Sequence, residues 1–194
     1  MTRGRLVAFE GLDQSGKQTQ AMHLRQALEA EGLVVVSFDF PDYATPIGQE
    51  IGAALRGERT FPADCLQLLY VANRCEHRPA IEAALEAGQW VICDRYLASS
   101  IAYGEAQGLD AAWLLLIQQV LPPPDITVLL DIAPEVAARR KQQGRDAFER
   151  DLGLLARVRA SYLRQATAAP GWVVLDAARD RDEVSRDVLT IVGK

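Results

Sequence analysis

The stretch Gly11-Leu-Asp-Gln-Ser-Gly-Lys-Gln-Thr19 decides the fold of this chain. It follows an apolar run at residues 6–9, which predicts a strand, and it leads into a segment with the apolar spacing of a helix. A glycine-rich turn between a strand and a helix is the setting that a phosphate-binding loop requires. Its glycines let the backbone approach phosphate oxygens closely, and the helix N-terminus adds a partial positive charge. The stretch therefore predicts a nucleotide-binding loop.

Several residues of this loop have separate expected roles. The ammonium group of Lys17 is placed to reach the β- and γ-phosphates of a nucleotide. Asp13 is an awkward neighbour for a phosphate because like charges repel, so we expect it to face a sugar hydroxyl. The pattern usually continues with a Ser or Thr that binds Mg²⁺, but this chain has Gln18. Besides Lys17, the loop residues expected to bind the nucleotide are Gly11, Asp13, Gln14, Ser15, Gly16, Gln18 and Thr19.

The composition is that of an ordinary globular protein. Of the 194 residues, 49% are hydrophobic and 24% are charged, and a net charge of -5 argues against a nonspecific nucleic-acid-binding protein. No apolar run approaches the ~18 residues of a membrane span, and the first strand begins too near Met1 to leave room for a signal peptide. We therefore expect a single domain over residues 1–194, located in the cytoplasm, with neither nucleic acid nor membrane as a partner.

Strands and helices are predicted to alternate along the chain. Apolar runs predict strands at 6–9, 34–38, 90–93, 126–130 and 172–175. Helical spacing predicts helices at 19–31, 47–55, 64–76, 81–87, 99–105, 111–120, 135–143, 148–166 and 181–192. Pro79 either kinks the third helix or starts the fourth. The alternation predicts an α/β fold with a doubly wound, five-stranded parallel sheet flanked by helices, whose ligands bind beyond the carboxyl ends of the strands.

Two charged residues follow the third predicted strand, which would bring them beside the phosphate loop. Asp94 could hold Mg²⁺ directly or through water, and Arg95 could clamp a phosphoryl oxygen. The alternative is a surface turn with a local ion pair. Glu10, at the end of the first strand, could act as a general base or as a structural acceptor for loop amides, and the structural role is favoured.

Three further residues could contribute to a site. Tyr70 and Arg74 lie one helical turn apart, where a ring and a guanidinium suit stacking on a base and reading its edge. Taken alone, this pair could also be a core ring with a surface arginine. Arg145 lies in a polar break between two helices and would suit a lid over a transferring phosphate, although alone it is only a loop residue.

Five sequence blocks, taken in order, resemble the thymidylate kinase family. The blocks are Phe9-Glu-Gly-Leu-Asp-Gln-Ser-Gly-Lys17, Phe40-Pro41, Leu69-Tyr-Val-Ala-Asn-Arg74, Asp94-Arg-Tyr…Ser99-Ser-Ile-Ala-Tyr103 and Asp146-Ala-Phe-Glu-Arg-Asp151. Together they extend over nearly the whole chain, from residue 9 to about 162. The resemblance implies a P-loop kinase that transfers the γ-phosphoryl of ATP to dTMP and makes dTDP for dTTP biosynthesis. It also implies a homodimer. Mg²⁺ is expected as a cofactor, and because Gln18 lacks the usual hydroxyl, we expect Asp94, the nucleotide phosphates and water to hold the ion, with Gln18 lining the phosphate site.

The resemblance implies roles for the matching phosphate and sugar residues. Lys17 and the loop amides would hold the ATP phosphates, and Arg95 would hold the acceptor phosphate. Asp13 would meet the 3′-hydroxyl of the deoxyribose. Phe40 and Pro41 would wall the sugar site, and the peptide bond between them is commonly cis in the family.

The resemblance also implies how the base and the lid are arranged. Tyr70 would stack on thymine and Arg74 would bond its edge. Ser100 and Tyr103 would close the pocket, with Tyr103 near C2′, where a ribose hydroxyl would clash. From a lid at about residues 142–150, Arg145 or Arg150 would act, and Arg145 is preferred.

Three positions depart from the family pattern. Gln18 lacks the usual hydroxyl, Tyr43 stands where many members carry an arginine, and Ala147 stands where many lids have one. Two other functions stay open at this point. A deoxynucleoside kinase would use Glu10 to deprotonate a 5′-hydroxyl, and a nucleotide-binding regulatory protein would have lost turnover. The Phe-Pro turn and the Tyr70…Arg74 helix favour a monophosphate acceptor.

Overall fold

Five parallel strands form the central sheet, as the alternating pattern predicts. In this computed structural model, which describes residues 3–140, 148 and 151–193, they are β1 (Leu6–Glu10), β2 (Val35–Asp39), β3 (Trp90–Asp94), β4 (Ile126–Asp131) and β5 (Trp172–Asp176). Their order across the sheet is β2-β3-β1-β4-β5, with every neighbouring pair parallel. The expected fold class is therefore confirmed.

Helices cover both faces of this sheet. In the described residues they are α1 (Lys17–Ala30), α2 (Pro46–Leu55), α3 (Ala63–Glu86), α4 (Leu97–Ala106), α5 (Ala111–Leu116), α6 (Pro134–Arg140), α7 (Leu152–Ala168) and α8 (Arg181–Val192). Alternate residues of β1 pack into two different cores: Val7 and Phe9 into one, Leu6 and Ala8 into the other. Because side chains alternate across a strand, β1 is buried on both faces, which is why its sequence is wholly apolar before Glu10.

Several predicted helices have different limits in the structure. The third and fourth form one helix, α3, so a separate helix beginning at Pro79 is wrong. Pro79 lies on the exposed side, and buried residues on either side of it keep the helix against the sheet. α5 ends at Leu116 rather than at residue 120, because the amides of Gln118 and Gln119 bond three residues back, to Leu115 and Leu116. α7 begins at Leu152 rather than at 148, because the Asp151 side chain caps it.

The proposed lid at about 142–150 lies outside the described residues except for Phe148. Phe148 sits in a turn and packs its ring 5.8 Å from that of Tyr103. Among the described helices, none combines the length and the apolar character that crossing a membrane requires.

The sheet topology brings the two polar segments of interest together. β3 is the neighbour of β1, with Asp94 paired in register with Phe9, and the amide of Arg95 donates to the Phe9 carbonyl at 2.9 Å. β1 leads directly into the phosphate loop at Gly11, where φ is 140° and a Cβ would lie 2.5 Å from the Leu130 carbonyl oxygen. Only glycine tolerates both the positive φ and this close approach to Leu130. Gly11 therefore lets the loop begin in close contact with β4.

Candidate active site

The phosphate loop holds its lysine against its own backbone. Lys17 is only 6% exposed, and its Nζ donates to the carbonyl of Leu12 at 2.9 Å. Burial lowers the pKa of this ammonium, the nearby charge of Arg95 lowers it further, and Asp13 and Asp94 oppose the shift. An anion bound beside Nζ would therefore stabilise its charged form.

Arg95 lies at the centre of a polar cluster between the loop and α4. Its Nη2 donates to the Asp13 carboxylate at 2.8 Å, and its Nη1 donates to Ser99 Oγ at 3.2 Å and to the Tyr162 hydroxyl at 3.3 Å. Burial alone would lower the pKa of Arg95, but the charge of Asp13 and the nearby Tyr103 and Tyr162 hold it well above its ordinary value. The guanidinium is thus a permanent cation at the edge of a cleft.

The backbone at Arg95 has a left-handed conformation, with φ of 62°, which costs a non-glycine residue about 1–3 kcal/mol. The alternative of a surface turn with a local ion pair is wrong, because Arg95 is mostly buried and its partner Asp13 lies 82 residues away. Strain of this kind is common at functional sites.

Glu10 is fully buried and fixes the start of α4. One carboxylate oxygen accepts from the Tyr96 amide at 2.8 Å and the Ser99 amide at 3.3 Å, and the other accepts from Ser99 Oγ at 2.6 Å and the Tyr162 hydroxyl at 3.1 Å. The favoured structural role fits this arrangement, but the amides belong to the segment after β3 and not to the phosphate loop. α4 has no side-chain cap of its own, so Glu10 supplies the acceptor its first amides need.

One cleft is lined by all eight residues expected to bind the substrate. These are Asp13, Phe40, Pro41, Tyr70, Arg74, Arg95, Ser100 and Tyr103. The peptide bond between Phe40 and Pro41 is cis, as the resemblance implies. The cleft also contains Tyr43, at the position where many family members carry an arginine for the acceptor phosphate. Its other lining residues were not expected, namely Leu55, Gln67, Ser99 and Phe148. We call it the acceptor cleft.

Arg74 is a buried residue of the acceptor cleft. It is 2% exposed, its Nη1 donates to Ser100 Oγ at 2.7 Å, and its guanidinium carbon lies 5.9 Å from the Phe40 ring centre. Burial lowers the pKa of Arg74, and the carboxylate of Glu10 opposes the shift. The alternative of a surface arginine is therefore wrong, and Arg74 and Ser100 act as one unit.

Asn73 holds the turn that follows Pro41, a role that the sequence did not indicate. Its side chain accepts from the Asp42 amide at 2.8 Å and donates to the Asp42 carbonyl at 3.2 Å and to Thr45 Oγ1 at 2.9 Å. The side chain is fully buried. Its partners lie about 30 residues earlier in the chain, so no local pattern could have revealed the contact.

A second cleft lies on the other side of the phosphate loop. It is lined by Gln14, Ser15, Gly16, Thr19, Gln20, Arg140, Ala177, Arg179, Arg181 and Val184. We call it the donor cleft. Arg140 joins its two sides, because Nη1 donates to the Gln14 carbonyl at 3.0 Å and Nη2 to the Ala177 carbonyl at 2.7 Å. Sequence reasoning missed all three arginines of this cleft, since Arg140 lies about 40 residues before Arg179 and Arg181 in the chain.

Ser15 offers a free hydroxyl at the donor cleft. The side chain is 4% exposed, and its Oγ has no hydrogen-bond partner among the described residues. A buried hydroxyl without a partner favours a site that a polar ligand completes.

Two further expected residues, Gln18 and Asp94, line neither cleft. The side chain of Gln18 is exposed on α1. Asp94 is partly buried, and burial raises the pKa of its carboxyl group while the charges of Lys17 and Arg95 oppose the shift. Arg145 and Arg150 lie outside the described residues. Within residues 3–140, 148 and 151–193, no three His, Cys, Asp or Glu side chains group as a metal site.

The two clefts share one loop, which determines what the site can do. Asp13 lines the acceptor cleft, while Gln14, Ser15 and Gly16 line the donor cleft. A loop of backbone amides with a buried cation between two polar clefts can align two phosphate-bearing molecules.

Comparison with known proteins agrees with this geometry. A family model described as thymidylate kinase matches residues 9–188. The chain is 40% identical to the thymidylate kinase of Ralstonia nicotianae, over 95% of this chain and 96% of that protein. It is 33% identical to that of Plasmodium falciparum, over 99% of this chain and 91% of the relative.

A solved structure shows the same architecture. The thymidylate kinase of Candida albicans superposes with a TM-score of 0.84 at 31% identity, covering 98% of this chain and 92% of the other. The match of the family model, the full-length relatives and the shared fold lead to one conclusion: this chain belongs to the thymidylate kinase family.

Proposed function

We propose that this chain transfers the γ-phosphoryl group of ATP to dTMP and forms ADP and dTDP. The observation that carries the proposal is the shared phosphate loop, which has an acceptor cleft on one side and a donor cleft on the other. The names of the relatives support the same reaction.

On the acceptor side, Arg95 would hold the phosphate of dTMP. Asp13, now bonded to Arg95, would face the 3′-hydroxyl, and Tyr103 would lie near C2′ beside it. Tyr70 would stack on the base, with Arg74 and Ser100 at its edge. Phe40 and Pro41 would wall the sugar.

On the donor side, Lys17 and the amides of the loop would bind the ATP phosphates. Arg140 would lie against the rest of the nucleotide, since it spans the donor cleft. During transfer, Lys17, Arg95 and the lid residue Arg145 would neutralise the charge that develops on the phosphoryl oxygens.

The reaction requires no general base, because the attacking phosphate oxygen is already ionised. A deoxynucleoside kinase would instead need Glu10 to remove a proton from a hydroxyl. Both oxygens of Glu10 already accept hydrogen bonds from α4 and α7, and the side chain is fully buried. This arrangement favours the monophosphate as acceptor.

Asp94 would be the protein ligand of Mg²⁺. The ion needs only one or two carboxylates when substrate phosphates and water complete its octahedral shell, so a single aspartate fits. Asp94 ends β3 beside the phosphate loop, and the charges of Lys17 and Arg95 favour its ionised form against the effect of burial. When bound, the ion would supply charge neutralisation at the phosphates.

A direct test is a coupled ADP-release assay with ATP and a panel of acceptors: thymidine, dTMP, dUMP, dCMP, AMP and GMP. We expect dTMP to be the preferred acceptor. In the same assay, Lys17→Ala should reduce kcat by about 10³-fold or more, because the negative charge that develops on the phosphoryl oxygens in the transition state loses the ammonium group that neutralises it. Preferred turnover of thymidine would favour the nucleoside kinase. No turnover of any acceptor would favour a binding protein.

The metal assignment predicts different effects at positions 94 and 18. Asp94→Asn should weaken the apparent Mg²⁺ affinity far more than Gln18→Ala, and Gln18→Thr should stay active, because the Gln18 side chain lines neither cleft. Titrating Mg²⁺ against turnover measures all three variants. If Gln18→Ala loses as much Mg²⁺ affinity as Asp94→Asn or more, the Gln18 amide oxygen is a direct ligand of the ion and the assignment is wrong.

We also propose a cytoplasmic homodimer. Large apolar side chains in and just after α5 are strongly exposed, among them Leu116 at 60% and Val120 at 53%. Arg78 of α3 donates to the Val120 carbonyl at 3.4 Å. A second copy of the chain packed on α3 and α5 would cover these apolar side chains together with Leu68. All three cysteines are free, which suits a reducing compartment.

The dimer proposal predicts a mass of twice 21.3 kDa by light scattering after size-exclusion chromatography. The double variant Leu116→Glu/Val120→Glu should be monomeric, because the new charges would be buried at the interface. Met22→Glu is the matched control, since Met22 is a similarly exposed residue on α1. A monomeric wild-type protein, or a double variant that remains dimeric, would refute this interface.

A further inference from the structure

Gln67 is a buried amide without a hydrogen-bond partner in the acceptor cleft. Its side chain is fully buried, and neither Nε2 nor Oε1 has a partner among the described residues. Leaving a buried amide unpaired destabilises the folded protein, because the group loses its hydrogen bonds to water and gains none in return. Such a residue requires an explanation, and a ligand that completes its hydrogen bonds is the simplest one.

The position of Gln67 on α3 relates it to the residues expected to bind the base. It precedes Tyr70 by three positions and Arg74 by seven, so all three lie on one face of the helix, and all three line the acceptor cleft. Arg74 also has an unpaired atom. Its Nη1 donates to Ser100, but its Nε is buried and has no partner among the described residues. The two side chains therefore offer two donors and one acceptor to whatever occupies the cleft.

This set complements the hydrogen-bonding edge of thymine. That edge presents a carbonyl oxygen, an N3–H and a second carbonyl oxygen, in the order acceptor, donor, acceptor. Cytosine presents an amino group and an unprotonated N3 instead. The amino group of cytosine would face the guanidinium of Arg74, and two donors cannot hydrogen-bond to each other. The unprotonated N3 of cytosine would offer no N–H to Oε1 of Gln67.

We infer that Gln67 is a specificity-determining residue of the acceptor cleft, with Oε1 accepting the N3–H of the pyrimidine and Nε2 donating to a neighbouring carbonyl oxygen. The inference rests on the proposed function, because it takes dTMP as the acceptor. Gln67 and Arg74 together then select thymine and uracil over cytosine. A site built to pair a polar edge rejects an analogue that leaves its buried groups unpaired.

The test replaces the amide with a side chain of similar length and volume, in Gln67→Met. We expect kcat/KM for dTMP to fall by about 5- to 100-fold, the loss expected for a buried hydrogen bond, with the preference over dCMP reduced and the KM for ATP changed by less than about twofold. The melting temperature should stay the same or rise, because an unpaired amide is removed.

Gln118→Met is the matched control. Gln118 is also buried, at 3% exposure, and its Oε1 also has no partner among the described residues, but it lines neither cleft. Its kinetics with dTMP should match the wild type. If Gln67→Met unfolds, or raises the KM for ATP and dTMP equally, Gln67 is structural and the inference is wrong.

A modified substrate tests the same contact without a mutation. Wild-type protein should use N3-methyl-dTMP much less well than dTMP, and Gln67→Met should show less discrimination between the two. Equal use of both substrates by the wild type would overturn the inference while leaving the proposed function intact. If the wild type does not turn over dTMP at all, the proposed function itself fails.

Discussion

The buried carboxylate of Glu10 is the contact on which the acceptor side depends. It ends the central strand β1 and accepts four hydrogen bonds, from the start of α4 and from Tyr162 on α7. Ser99 and Tyr162 also receive hydrogen bonds from Arg95. One fully buried charge therefore joins the sheet, two helices and the guanidinium proposed to hold the acceptor phosphate. A buried charge is tolerated only when its hydrogen bonds are complete, as they are here.

Buried cations distinguish this site from an ordinary hydrophobic cleft. Lys17, Arg74 and Arg95 are all largely removed from solvent, and burial acts to lower the pKa of each. Asp13 offsets the charge of Arg95 through an ion pair, while Lys17 is hydrogen-bonded, within the described part of the chain, only to a backbone carbonyl. Phosphate groups would give Lys17 and Arg95 stronger partners than they now have, which connects the electrostatics of the fold to phosphoryl transfer.

The features that could be predicted from the sequence are those encoded locally. Apolar runs and a glycine-rich loop predict the parallel sheet and the position of Lys17, and the five family blocks predict every residue of the acceptor cleft that the resemblance named. The missed features come from contacts between distant segments. Asn73 with the turn after Pro41, Arg140 across the donor cleft, and the unpaired amide of Gln67 all depend on which segments the fold brings together.

The most direct test of this account is the binding of each nucleotide to Glu10→Gln, measured by titration calorimetry. The substitution keeps the shape of the side chain but sets an NH₂ group among donors, so α4 and Arg95 should lose their alignment. We predict that the Kd for dTMP rises by about tenfold or more, equivalent to about 1.4 kcal/mol, while the Kd for ATP changes by less than about threefold. Simple electrostatics predicts the opposite, because removing a negative charge should tighten phosphate binding. Unchanged or tighter binding of dTMP would contradict the account.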